Sequence, residues 1–191
     1  MQSEDQEVEL IRRIRSGETR LYGHLVDRYG RMVYALVARI VDRPEEAEEV
    51  TQDAFLKAFS RLDRFEGRSS FRTWIYRIAC NEALTRARRT RRHYTEIDER
   101  RLALLPDEEV ERMEEWAVHE RQLEALTRAV ARLEPAERAL VTLFYYEERP
   151  VSECAAILEL SESNVKVRLH RLRKKLYLMV KDETATTDET E

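Results

Sequence analysis

The stretch Val151–Leu176, VSECAAILELSESNVKVRLHRLRKKL, contains two apolar helical patterns separated by only three residues, ELS. The first pattern is short and carries the small residues Ala155 and Ala156, which suit a close crossing of two helices. The second places its apolar residues along one edge of a helical wheel: Val165, Leu169, Leu172 and Leu176. Ser161 is positioned to cap the second helix. This spacing is typical of a helix-turn-helix.

The opposite side of the second helix is rich in hydrogen-bond donors and short side chains, as a helix that enters the major groove requires. The candidate contact residues on or beside this side are Ser163, Lys166, Val167, Arg168, His170, Arg171 and Lys174. A run of basic residues is also the ordinary solvent-exposed side of a bundle helix. The helix alone leaves both interpretations open, whereas the short preceding helix, the turn and the cap favour DNA.

The charge of the chain is strongly segregated, although the net charge is only −4. Arg68–Tyr94 holds eight Arg and one acid, and Ser161–Lys175 holds six basic residues and one acid. Between them, Glu96–Glu115 holds nine acids and three Arg, and the last ten residues hold five acids and no base. Net charge therefore does not exclude nucleic acid as a partner. Two basic blocks around an acidic one predict two binding faces on a flexible rod.

Composition predicts a helical protein, because the 191 residues include only four Gly and four Pro and are rich in Glu, Arg, Leu and Ala. The fold class that we expect is all-α, with two small helical domains joined by an acidic flexible linker. The expected bounds are residues 5–94 for the first domain, 95–120 for the linker, 121–180 for the second domain and 181–191 for an acidic tail.

Apolar periodicity and capping residues predict the individual helices. In the first domain they cover residues 8–14, 21–41, 44–62 and 71–92. Gly17 is expected to end the first of these, Asp42 to cap the third, and Ser69 or Ser70 to cap the fourth. In the second domain the predicted helices cover residues 121–133, 135–147, 151–158 and 162–180. The linker has weak periodicity, and we expect helix there only from Asp107 onward.

The residues that usually carry chemistry show no catalytic or ligand-binding spacing. Cys80 and Cys154 each sit in an apolar helical pattern, which favours two buried thiols over a disulfide or redox pair. The four His lack metal-ligand spacing, and no phosphate loop or nucleophile–base pattern is present. We therefore expect no enzyme activity, no metal and no cofactor. The absence of an apolar run of ~18 residues and of a signal peptide makes the cytoplasm the expected location.

Two long stretches closely resemble the extracytoplasmic-function (ECF) group of RNA polymerase sigma factors of the sigma-70 family. Arg43–Arg89 resembles their second conserved region through the restart RPEEA, the run VTQDAFLKAF, the F-x-G loop and FRTWIYRIACN. Leu133–Leu176, which contains the helix-turn-helix, resembles their fourth conserved region. The two motifs stand in the family's order and separation and cover most of the chain.

The resemblance implies a sigma factor that binds core RNA polymerase and directs it to promoters. The first domain would engage the β′ clamp helices and would melt and read the −10 element, and the second would read the −35 element beside the β flap. The acidic linker would run near the active-site cleft. A stress response and an anti-sigma partner are further expectations. A stand-alone helix-turn-helix regulator is the alternative, but it leaves the Arg43–Arg89 motifs without a role.

The resemblance also assigns roles to individual residues. Polymerase binding falls to Glu49, Gln52, Asp53 and Lys57. Recognition of the −10 strand falls to the loop Phe65, Glu66, Gly67, Arg68 and Ser69 together with Asn81. Phosphate contacts fall to Arg77, Arg86, Arg88, Arg89, Arg91 and Arg92. Contacts to the −35 element fall to the seven residues of the last helix named above. Phe55, Leu56 and Phe59 belong to the run assigned to polymerase binding, but we expect them to be core residues, with contact to polymerase as the alternative. Trp74 is also expected in the core, with stacking on an unpaired base as its alternative.

Overall fold

The computed structural model describes residues 2–89, 97, 99–107, 109 and 120–188. All regular structure in these residues is helical, which confirms the all-α prediction. The helices are α1 (Gln2–Arg15), α2 (Tyr22–Ile40), α3 (Pro44–Ser60), α4 (Phe71–Arg89), α5 (Glu99–Leu104), α6 (Glu120–Ala131), α7 (Pro135–Val141), α8 (Val151–Leu158) and α9 (Glu162–Asp188). Short 3-10 turns cover Thr19–Leu21 and Leu62–Arg64, and a π turn covers Thr142–Tyr146.

Local sequence rules account for most helix ends in the first block. Gly17 ends α1 with φ +113°, a conformation that favours glycine, and its N–H donates to the Ile14 carbonyl. Pro44 occupies the first turn of α3, where it loses no hydrogen bond. The Ser70 hydroxyl accepts a hydrogen bond from the Thr73 N–H at 3.1 Å and so caps α4.

Asp42 does not cap α3, and that prediction is wrong. The capping position belongs to Arg43, which makes no side-chain cap hydrogen bond. The Asp42 carboxylate instead accepts a hydrogen bond from Arg138 of α7 at 2.8 Å, and the side chains of both residues are less than one-tenth exposed. The carboxylate that a local capping rule assigns to the start of α3 is therefore used in a long-range ion pair.

Helices α2, α3 and α4 enclose the first part of the core. Its apolar side chains include Leu25, Val33, Leu36, Ile40, Phe71 and Ile75, all of them fully buried. Phe65, Phe71 and Trp74 form an aromatic cluster with ring centroids 5.3–5.9 Å apart. Trp74 is 8% exposed, as the core prediction required.

The second block contains the predicted helix-turn-helix. Helix α8 coincides with its predicted bounds, and Glu159 follows it in the left-handed conformation with φ 56°. The Ser161 hydroxyl accepts a hydrogen bond from the Asn164 N–H and caps α9. The four predicted apolar residues of α9, Val165, Leu169, Leu172 and Leu176, are all buried. Ala155 is buried as expected, whereas Ala156 is exposed.

Helix α9 continues past the predicted end at residue 180 to Asp188. Two acidic residues of the predicted tail explain part of the extension, because they pair with other elements. Asp182 accepts two hydrogen bonds from Arg101 of α5, at 2.8 and 3.0 Å. Glu183 accepts a hydrogen bond from Arg128 of α6. These pairs tie the end of α9 to the linker and to α6.

The two blocks pack against each other, so the prediction of a flexible rod is wrong. Helix α8 lies against α4 and α7 against α2, and the buried residues of both blocks form one continuous apolar cluster. The Tyr76 hydroxyl donates to Glu147 at 2.7 Å across this interface. Each fully buried Leu, Ile or Phe side chain contributes about 1.5–3 kcal/mol, which explains why α2 and α4 hold α7 and α8 on their apolar sides.

Both cysteines are buried, and neither forms a disulfide. Burial raises the pKa of the Cys80 thiol to about 12 and that of the Cys154 thiol to about 11. High pKa values keep both residues as neutral thiols at neutral pH. The prediction of two buried structural thiols is confirmed.

The linker contains helix earlier than expected, since α5 begins at Glu99. Asp107 and Glu109, which lie in the stretch where helix was predicted, are helical. Most of the stretch from Asp107 to residue 119, in which the helical part was predicted, lies outside the described residues, as do Arg91 and Arg92. Within the described parts of the chain, every helix is too short or too polar to cross a membrane.

Candidate nucleic-acid and polymerase interfaces

The exposed side of α9 gathers the residues that were predicted to contact DNA. Ser163, Lys166, Val167, Arg168, His170 and Arg171 are all exposed, and Val167 retains 56% of its accessible surface. The Nε of Arg168 donates to Asn164 one turn earlier at 2.7 Å, which fixes the direction of its guanidinium group. Lys174 is the exception, because only 14% of its side chain is exposed.

Lys174 is covered by the linker. Its Nζ lies 2.7 Å from Asp107 Oδ1 and donates to the Leu105 carbonyl at 2.9 Å. The same Asp107 oxygen lies 3.4 Å from His170 Nε2. The hydrogen bond from Lys174 lowers the pKa of Asp107 below its usual value, so this carboxylate is charged at neutral pH. The acidic linker therefore reaches the edge of the basic side of α9.

The loop before α4 is exposed at its tip and anchored at its start. Gly67 has φ +71°, a left-handed conformation that favours glycine. Glu66, Arg68 and Ser69 are exposed, and Arg68 pairs with Glu66 at 2.6 Å. Phe65 is only 9% exposed, because its ring packs on Phe71 and Trp74. Its position makes Phe65 the anchor of the loop rather than part of the exposed tip.

A cavity of about 290 Å³ opens next to Arg64, the residue that precedes this loop, and we call it the Trp74 pocket. It is lined by Lys57, Arg61, Arg64, Trp74, Arg77, Ile78, Asn81, Glu82 and Glu159. The sequence pointed to Arg77 and Asn81 as nucleic-acid contacts, and the structure brings them together. Sequence analysis missed Arg61 and Arg64, which start and end the short turn just before the F-x-G loop.

Two predicted phosphate contacts differ in their surroundings. Arg86 donates to Glu49 of α3 at 2.7 Å, and this hydrogen bond raises the pKa of Arg86. A residue predicted for DNA and one predicted for polymerase therefore pair with each other. Arg88 and Arg89 are exposed at the end of α4. Together with Arg77 they leave a basic surface on one side of α4.

A third surface is an apolar groove of about 710 Å³ between α2 and α3, which we call the α2–α3 groove. Its lining includes Tyr22, Val26, Gln52, Phe55, Leu56 and Phe59. Leu56 is 68% exposed and Phe59 39% exposed, so the prediction that both are core residues is wrong. Phe55 is 6% exposed, so the prediction that it is a core residue is confirmed. The Phe59 ring packs partly on Tyr22 of α2, with ring centroids 4.9 Å apart, and Leu56 is the more exposed of the two residues.

The four predicted polymerase contacts do not share one surface. Gln52 lines the α2–α3 groove, and Glu49 and Asp53 are exposed on the same helix. Lys57 instead pairs with Glu82 of α4 and lines the Trp74 pocket. Among the described residues, no group of His, Cys, Asp or Glu side chains is arranged to hold a metal ion.

A helix-turn-helix with an exposed basic side, joined to a second basic helical block, defines the class of helical DNA-binding proteins. Family models refine this class. The model for Sigma-70 region 2 matches residues 25–93, and the model for Sigma-70, region 4 matches residues 123–176. The chain belongs to the extracytoplasmic-function group of the sigma-70 family. It is thus an RNA polymerase sigma factor, and its partners are core RNA polymerase and promoter DNA.

Individual relatives span nearly the whole chain. The ECF RNA polymerase sigma-E factor of Escherichia coli is 30% identical over 170 residues, which are 86% of this chain and 88% of that protein. The ECF RNA polymerase sigma factor SigW of Bacillus subtilis is 28% identical over 178 residues, 90% of this chain and 95% of SigW. A solved structure has a similar fold. CnrH in complex with the cytosolic domain of CnrY is 26% identical, with a TM-score of 0.60 over 95% of this chain and 97% of that one.

Proposed function

We propose that this sigma factor divides promoter recognition among three surfaces: the α2–α3 groove for polymerase, the Trp74 pocket with the adjacent loop for the −10 element, and the exposed side of α9 for the −35 element. The domain bounds that go with this division are 5–94 for region 2, 95–120 for the linker and 121–180 for region 4. The observation that carries the proposal is the separation of two basic surfaces from one exposed apolar groove on a single chain.

The α2–α3 groove suits a helix of the polymerase. Large apolar side chains such as Leu56 and Phe59 are costly to leave in water, and a groove of this kind accepts the apolar side of a partner helix. Asp53 adds an exposed carboxylate on the same helix, which can pair with a basic residue of the partner, whereas the Glu49 carboxylate is engaged by Arg86 of α4. The clamp helices of the β′ subunit are the partner that we assign to this groove.

The Trp74 pocket suits an unpaired nucleotide. Arg61, Arg64 and Arg77 surround it with positive charge for the phosphates, and Asn81 offers both a donor and an acceptor to a base edge. The exposed loop tip at Glu66–Ser69 lies before the same helix. Trp74 contributes through its buried ring, which forms part of the pocket wall. Arg88 and Arg89 extend the basic surface and would position the DNA backbone.

The exposed side of α9 suits the major groove of the −35 element. Arg168 and Arg171 can make bidentate contacts with guanine, and Val167 can meet a thymine methyl group. Lys166 and Ser163 are placed for phosphates or base edges near the start of the helix. The stand-alone regulator is disfavoured, because such a protein has no use for an exposed α2–α3 groove.

The regulatory setting follows from the family. We propose an anti-sigma partner and a stress response for this chain, with the protein acting in the cytoplasm and without enzyme activity of its own. CnrH is bound to the cytosolic domain of CnrY in its structure, which supports a protein partner that holds the sigma factor. An affinity-tagged chain recovered from unstressed cells should bring down a small partner protein, and its absence would contradict this part of the proposal.

The polymerase assignment is tested by co-elution of the purified chain with core RNA polymerase on a sizing column. Leu56→Glu should weaken binding at least tenfold, because it places a charge in the apolar groove. Val8→Glu is the matched control, since Val8 is 64% exposed on α1, away from the groove, and it should bind like the unaltered chain. Equal binding by all three proteins would overturn the assignment of the groove.

A further inference from the structure

The linker contacts the predicted DNA-reading side of α9 through two kinds of interaction. Leu105 is 8% exposed, and it packs on Tyr177 and Leu178 in a small apolar cluster. Two residues later, the Asp107 carboxylate pairs with Lys174 and lies near His170. An apolar anchor therefore holds a carboxylate against two of the seven residues assigned to the −35 element.

Further pairs fix this part of the linker on the same helix. Arg101 makes a bidentate contact with Asp182. Beyond Asp107, Glu109 accepts a hydrogen bond from the Tyr177 hydroxyl at 3.0 Å. We refer to residues 99–107 as the linker clasp. Its contacts extend from the −35-reading part of α9 to the acidic extension of the same helix. Helix α9 therefore carries both the DNA-reading residues and the binding site of the clasp.

We propose that the linker clasp is an internal competitor of DNA for the −35-reading side of α9. This inference rests on the proposed −35 assignment of that helix. The Nζ of Lys174 is already engaged by Asp107 and by the Leu105 carbonyl, and the clasp lies over it. A DNA phosphate or base edge needs the same donors in the same place. A DNA contact by Lys174 therefore requires that the clasp dissociate from α9. The apparent affinity for DNA is reduced in proportion to the fraction of molecules in which the clasp is bound to α9.

The position of the clasp also links this competition to polymerase. The clasp belongs to the linker between the two conserved regions, so a polymerase that binds the linker would remove it from α9. The amine of Lys174 would then become available to DNA on the enzyme and stay engaged by Asp107 on the isolated chain.

Seating of the clasp is tested directly by zero-length carbodiimide cross-linking of the full chain. The reagent activates the Asp107 carboxyl group, and the Lys174 amine displaces the activating group to form an amide. Peptide mapping should find the 107–174 cross-link in the isolated chain, and excess duplex DNA should reduce its yield. Absence of the cross-link, or a yield that saturating DNA does not change, would overturn the proposal.

The energetic consequence is tested by fluorescence anisotropy with a short labelled DNA duplex of randomised sequence at low salt. Asp107→Asn should bind about two- to fivefold more tightly than the unaltered chain, as expected for loss of an exposed ion pair. Leu105→Ser should bind about tenfold more tightly or more, because it removes the apolar anchor without changing the charge. Asp27→Asn is the matched control for net charge, since Asp27 is exposed on α2.

The outcomes separate this inference from the proposed function. Gains for Asp107→Asn and Leu105→Ser over Asp27→Asn support the clasp. Equal affinities for all variants overturn the clasp but leave the sigma assignment intact, provided that the chain still initiates transcription with core polymerase. If no variant binds DNA, the clasp is overturned as well, because removing it then uncovers no DNA-binding surface. Thermal unfolding of each variant ensures that the comparison uses folded protein.

Discussion

His170 and Arg171 are adjacent residues on the exposed side of α9, and both carry hydrogen-bond donors. We expect His170→Ala and Arg171→Ala each to weaken binding to the −35 element by about 1–3 kcal/mol, the range for a side chain that contacts a base edge. The measurement is binding of the polymerase-bound protein to promoter DNA. A duplex with a scrambled −35 element is the control, and an equal loss on that duplex would contradict base recognition by these residues.

The buried ion pair between Asp42 and Arg138 leads us to expect a large loss of stability when one carboxylate oxygen is replaced. Asp42→Asn leaves the Arg138 charge buried without its carboxylate, and breaking a buried pair in this way costs about 3–5 kcal/mol. Urea unfolding should therefore show a clearly lower free energy of unfolding. The exposed Asp27→Asn should change it by less than about 0.5 kcal/mol. Similar values for the two variants would mean that the buried pair does not hold the blocks together.

Single residues also show what the sequence could not reveal. Periodicity correctly placed Val165 and Trp74 in the core, because an apolar stripe usually faces the protein interior. The same reasoning was wrong for Leu56 and Phe59, because an apolar stripe that faces a partner has the same spacing as one that faces a core. Asp42 was misassigned because its partner lies 96 residues away, beyond the reach of any local capping rule.

The helix-turn-helix is the element that the sequence predicted best. Its signals are local: a short helix, a three-residue turn and the cap at Ser161. Ser161→Ala should lower the free energy of unfolding by about 0.5–2 kcal/mol, because the Asn164 N–H loses its acceptor at the start of α9. Ser163→Ala, on the exposed side of the same helix, is the control for chemical denaturation. An equal effect of both changes would argue against capping by Ser161.

The linker and the end of α9 are the elements that the sequence predicted least well. Weak periodicity predicted a flexible linker, yet Leu105 and Asp107 lie against α9. Asp182 and Glu183 belonged to a predicted tail, yet they pair with Arg101 and Arg128. Each of these contacts joins residues distant in the chain, and charge composition alone does not indicate which opposite charges will meet.

The packing of the two blocks has a consequence for the whole molecule. A compact chain of this length has a radius of gyration of about 16 Å. Elements centred about 25 base pairs apart are separated by about 85 Å along DNA, at 3.4 Å per base pair. The packed arrangement therefore cannot contact both elements at once. In addition, Glu159 of the helix-turn-helix lies at the rim of the Trp74 pocket, so the second block stands close to the proposed −10 site.

We therefore expect the blocks to separate when polymerase binds. Fluorescence energy transfer between dyes at Glu48→Cys and Glu124→Cys should be high in the isolated chain and should fall on addition of core polymerase. The native thiols do not interfere, because Cys80 and Cys154 are buried with raised pKa values. Unchanged transfer in a complex that forms on a sizing column would contradict separation of the blocks.

Promoter-directed initiation by the whole molecule is the central claim, and one measurement tests it most directly. The purified chain is added to core RNA polymerase with fragmented genomic DNA, and the 5′ ends of the RNA are sequenced. Our account predicts discrete start sites that share −10 and −35 elements and that are lost with Leu56→Glu but kept with Val8→Glu. Failure of the folded chain to direct any discrete start site on a competent core enzyme would contradict it.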